Sequence, residues 1–65
     1  MSVSVEKSWH TDREWFVRVS GSYRGEVMYY PASMRWQARP RHFGGHAQCQ
    51  WFSDMADAVS FVAGA

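Results

Sequence analysis

A chain of 65 residues with seven basic and six acidic side chains, net +1, has room for one domain and no global charge suited to nucleic acid or an anionic membrane. One cysteine excludes an intramolecular disulfide, and the opening Ser-Val-Ser-Val lacks the basic and apolar parts of a signal segment. No run approaches the roughly 18 apolar residues of a membrane span, so the expectation is a soluble, cytoplasmic domain over residues 1–65 without a cofactor.

Two features of the composition narrow this further. Four tryptophans, three tyrosines and four phenylalanines are enough to put rings on both faces of a thin sheet. The charge is also uneven. Between Arg13 and His46 six arginines meet two glutamates, a local +4, whereas Lys7 with Glu6, Asp12, Asp54 and Asp57 leaves the ends at −3.

In chain order, residues 2–7 alternate apolar and polar, with Val3 and Val5 on one side of a short terminal strand that should lie at an edge. Thr11-Asp12 then reads as turn chemistry, since short polar side chains bond the nearby backbone. Residues 14–20 are rich in aromatic and β-branched residues, with Trp15, Val17 and Val19 on one face and Phe16 and Arg18 on the other. After a tight connection at Gly21, residues 23–30 form the next strand, with Gly25 a bulge candidate, and Pro31 ends it. Residues 34–39 alternate cleanly. Met34, Trp36 and Ala38 are expected inward, and Arg35, Gln37 and Arg39 outward.

A loop from Pro40 to His46 contains Gly44-Gly45, which tolerates the positive φ of a hairpin tip. Ala47, Cys49 and Trp51 then alternate with outward Gln48 and Gln50. At Ser53 the hydrophobic period changes from two to about 3.6, predicting a helix over residues 53–63. Ser53 is its expected N-cap, and Asp54 and Asp57 suit the positive end of its dipole. Met55, Ala58, Val59 and Val62 form the face that would lie on the sheet. The predicted fold is therefore α+β, an antiparallel meander of four or five strands with one C-terminal helix packed on one face.

Three kinds of chemistry have candidate residues. His42, His46 and Cys49 have donor types that suit zinc, with His10 as a fourth, but the two histidines flank a Gly-Gly loop and Cys49 falls in a core phase. Cys49 with a histidine could in principle form a nucleophilic pair, yet no surrounding signature supports it and a lone cysteine usually packs. Neither reading is favoured, and the expectation is a non-enzymatic protein. The third kind is a basic, aromatic sheet face. Arg18, Arg24, Arg35, Arg39 and Arg41 with Tyr29, Phe16 and Phe43 could meet phosphates and bases.

Residues 34–63 also resemble the three-stranded-sheet-plus-helix DNA-binding modules of plant ethylene-response factors and of the arm-binding domains of tyrosine integrases. The resemblance rests on Trp36-x-Ala38-Arg39, Trp51-Phe52 and Asp57-Ala58. It implies Arg35, Gln37 and Arg39 as readers of a DNA groove. The chain departs from the pattern in its net charge and in having no glycine between last strand and helix.

Rings, arginines and methionines are also the residues that protein interfaces concentrate. One helix covers one sheet face, so rings on the other are left for burial by a curling sheet, for a homodimer or for a heterologous partner. The leading expectation is a small binding protein acting through a protein–protein interface, with Tyr29, Arg35, Gln37, Arg39, Arg41, Phe43, Arg18 and Arg24 as contacts. Its size and style resemble the single-domain proteins with which phages and other mobile elements inhibit host factors, including CRISPR–Cas defence. That resemblance implies a host protein or complex as partner. DNA or RNA binding by the same arginines is the alternative.

Overall fold

The computed structural model describes residues 2–41 and 49–64. Five strands follow one another in a single antiparallel sheet, each beside its neighbour in sequence: β1 (Val3–Lys7), β2 (Glu14–Val19), β3 (Ser22–Tyr30), β4 (Arg35–Pro40) and β5 (Gln50–Phe52). The chain ends in one helix, α1 (Met55–Gly64), packed on β2 to β5. This is the α+β meander expected.

Opposed residues in a sheet share a face, so the strand registers assign every side chain to a side. Val5 opposes Val17, Trp15 opposes Val27, and Val27 opposes Ala38. These residues face the helix. Val17, Val27, Ala38, Ala58 and Val62 are fully buried and form the core, with Trp15, Trp36, Phe52, Met55, Val59 and Phe61 packed around it. Rings close its rim. Trp36 lies between Tyr29 (4.9 Å between centroids) and Trp15 (5.3 Å), and Phe52 meets Phe61 at 5.6 Å.

The register of β2 on β3 shifts after Val17, which makes Arg24 the extra residue of a bulge. Gly25, with φ +145°, sits at this bulge as expected. A Cβ there would run into the backbone of Arg39, Pro40 and Arg41, so the close approach of β3 to β4 requires glycine. At the β2–β3 turn Ser20 and Gly21 both have positive φ, as a tight hairpin demands.

Three expectations about the core are corrected. Met34 closes the Pro31 turn in the left-handed region (φ 55°) and is 72% exposed, because the turn ends one residue later than the alternation suggests. Cys49 is exposed, and Trp51 lies on the face away from the helix. In β5 it is Phe52, opposite Trp36, that turns to the core, so the phase is one residue off. Trp51 and Phe52 are equally apolar, and only helix packing against Phe61 selects between them. Ala47 and Gln48 lie outside the described residues.

The helix cap also moves by one. Asp54 Oδ1 accepts the Ala56 N–H at 2.7 Å, making Asp54 rather than Ser53 the N-cap, with Asp57 in the first turn. No helix among the described residues is long and apolar enough to cross a membrane.

Candidate functional site

The helix covers one face of the sheet, and among the described residues nothing covers the other. The bulge and the two-residue period bring Phe16, Tyr23, Met28, Tyr30 and Trp51 to this open face, together with Arg18, Arg35, Gln37, Arg39, Glu6, Glu14 and Glu26. Three arginines thus share the surface with three glutamates.

The polar groups at its centre are already joined to each other. Arg39 donates through Nε to Gln37 Oε1 (2.8 Å) and through Nη2 to the Tyr30 hydroxyl (2.9 Å), and its Nη1 lies 3.8 Å from Glu26. The Tyr30 hydroxyl in turn donates to Gln37 Oε1 at 3.1 Å. Two hydrogen bonds and an ion pair thus hold this guanidinium among its own neighbours. Arg18 stands 3.7 Å from Glu6 in a more exposed pair.

Glu14 is only 6% exposed although it carries a carboxyl group. It is hydrogen-bonded to Glu26, and His10 Nε2 lies 3.5 Å from it. Burial, reinforced by the hydrogen bond and the charge of Glu14, pushes the Glu26 carboxyl up to about 7, against the opposing pull of Arg39. Around pH 7 the Glu26 carboxyl therefore passes between its protonated and charged forms. Burial, and then the two glutamates, also raise the Tyr23 phenol above its usual range.

Rings occupy both ends of this network. Phe16 and Tyr23 meet edge to face at 6.2 Å, with the Arg41 guanidinium 5.7 Å from the Tyr23 ring centre. At the other end Tyr30 and Trp51 meet edge to face at 5.1 Å, and Ser33, Arg35 and Trp51 border a shallow depression. The β1–β2 loop adds Trp9, almost fully exposed and stacked edge-on to His10. That loop is closed by Ser8, whose Oγ accepts the His10 N–H at 3.3 Å, and by Thr11, whose Oγ1 accepts the Arg13 N–H at 3.3 Å.

Of the residues singled out from sequence, Arg18, Arg35, Gln37 and Arg39 lie together on the open face. Arg24 and Arg41 are exposed at the bulge end, joined by the Arg41 N–H bond to the Arg24 carbonyl (2.7 Å). Tyr29 does not join them. It opposes Trp36 on the helix side, and Tyr30 takes the open face. The sequence held the signal for this, since alternation from Val27 sends Tyr29 inward. Glu14 and Glu26 had no such signal, because nothing local says that two strands will set their carboxyls side by side.

Phe43, His42 and His46 fall outside the described residues. Cys49 is exposed, His10 bonds within its own loop, and no group of three or more metal-type donors occurs among the described residues. No family model, curated protein or solved structure matches the chain.

Proposed function

We propose that the chain is a non-enzymatic protein-binding module whose open sheet face is the contact surface. What supports the reading is that face itself. It offers Phe16, Tyr23, Tyr30 and Trp51 around a guanidinium already fixed by neighbours, the composition of an interface centre, with little side-chain entropy left to lose. Occluding a partner's working surface is the action that suits so small and flat a body, and inhibition of a host defence complex is the form of it that the phage-protein resemblance implies.

The second reading, nucleic-acid binding, is favoured by one feature: Arg18, Arg24 and Arg41 gather around Tyr23 at the bulge. Against it, the open face carries as many glutamates as arginines, with Arg18 beside Glu6 and Arg39 beside Glu26, which weakens any phosphate attraction. The test is affinity capture from host lysate, comparing the native chain with Arg35→Glu/Trp51→Ala. Capture of the same protein by the native chain alone, with both chains equally folded by circular dichroism, supports the proposal. Equal capture by both removes the face from consideration. Duplex or single-stranded nucleic acid bound with a steep log-linear salt dependence replaces it by the second reading.

A further inference from the structure

The helix leaves one part of its own side of the sheet uncovered. It packs on β2 to β5, so the inward residues of β1, Val3 and Val5, remain 48% and 39% exposed. They form one wall of an apolar groove of about 780 Å³, whose other wall is the Met55, Ala56 and Val59 side of the helix. Edge strands in soluble domains are commonly protected by proline, a bulge or charged side chains; β1 has neither proline nor bulge, and its charges are Glu6 and Lys7. Its two charges are neutralised within the chain, Glu6 by Arg18 at 3.7 Å and Lys7 by Asp12 at 3.1 Å.

The direction of the strand's free backbone groups follows from its pairing. Ser8 N–H bonds Glu14 O, and Ser20 N–H bonds Ser2 O. Antiparallel hydrogen bonds alternate, so Ser4 and Glu6 also bond β2, and Val3, Val5 and Lys7 turn their N–H and C=O groups to the free edge. We propose that a second copy of this chain adds at that edge, β1 against β1, in the register that sets Val5 opposite Val5 across a two-fold axis.

That register uses all three outward residues. It places Val3 opposite Lys7 and Ser4 opposite Glu6, with no like charges facing. Shifting it one way opposes Glu6 to Glu6, and shifting it the other leaves Lys7 beyond the paired Val3–Val5 core. The aliphatic stem of each Lys7 then lies over the Val3 of the other copy, and the two valines on the axis cover each other. The result is a continuous ten-stranded sheet with both helices on one side. Both grooves open onto the same four valines. This association uses the β1 edge and the helix side of the sheet, away from the Arg39, Tyr30 and Gln37 network, and does not rest on the function proposed for the open face.

Sedimentation equilibrium of the full chain from micromolar to submillimolar concentration should show a monomer–dimer equilibrium. Val5→Glu, which sets two carboxylates on the axis, should be monomeric throughout while keeping the native circular dichroism spectrum. In a Cys49→Ser background, a mixture of Ser4→Cys and Glu6→Cys chains should oxidise to the mixed disulfide, because these positions face each other as a closely spaced pair. A monomeric native chain at every concentration overturns the proposal. So does a Val5→Glu chain that still dimerises, and so does a Ser4→Cys chain that couples to itself in preference to Glu6→Cys.

Discussion

The carboxyl pair on the open face makes stability depend on pH in an unusual direction. Glu26 has a proton affinity raised from an ordinary 4.5 to about 7 in the folded chain, so between those values the folded state holds a proton that the unfolded state has lost. A group of this kind favours folding most at low pH, and its contribution disappears as pH rises through 7. At about 1.36 kcal/mol per pH unit the interval amounts to about 3 kcal/mol, an upper bound because the Glu26 side chain is still 22% exposed to screening solvent. Glu26→Gln keeps the shape and gives Glu14 an N–H donor at every pH, at the expense only of the long contact with Arg39. Urea unfolding followed by tryptophan fluorescence at pH 5, 6, 7 and 8 should find native chain and variant nearly equal at pH 5. By pH 8 the variant should be ahead by about 1–3 kcal/mol. His10, Arg39 and Tyr23 also face the pair and stay the same in both chains, so the difference isolates Glu26. A difference that is flat with pH, or that favours the native chain at pH 8, refutes the reasoning.

Other substitutions test single parts of the structure. Gly25→Ala meets three backbone segments at a positive φ and should lower stability by about 2 kcal/mol or more in the same urea assay, whereas Gly21→Ala has open space around it and should cost only the smaller strain of its φ. Asp54→Ala should cost about 1 kcal/mol by removing the helix cap, and Ser53→Ala should cost little. Phe52→Ala should destabilise by about 3 kcal/mol or more because it packs against Phe61 and the core. Trp51→Ala, on the open face, should cost clearly less and so confirm the phase of β5 in thermal melts. Cys49 should react with a thiol reagent in the folded chain as quickly as in the unfolded one, since it is exposed.

Much of the architecture could be read without coordinates because it depends on local rules. Alternation of Val17 and Val19, the bulge glycine, the stop at Pro31 and the change of period before Met55 each follow from how a residue fits its own backbone. The row Arg35, Gln37, Arg39 was equally readable, since one strand with a clear alternation has only two faces to choose between. Where neighbouring residues were equally apolar, as at Trp51 and Phe52, local rules gave no preference, and the helix settled the matter by docking on Phe52. Met34 failed for a related reason, because the turn's hydrogen bonds extended one residue past the point where the pattern resumed.

The open-face network belongs wholly to the tertiary level. Arg39 meets Tyr30 from nine positions away, and Glu14 meets Glu26 from twelve, through strand registers that the hairpin turns and the bulge jointly set. No sequence pattern encodes those distances. Composition made a surface of rings and arginines inevitable on a sheet this thin, but only the registers decided that Tyr30 rather than Tyr29 belongs to it. They also decided that its charges are balanced in place, and that the Glu26 carboxyl at its centre is held well above the usual carboxylate range.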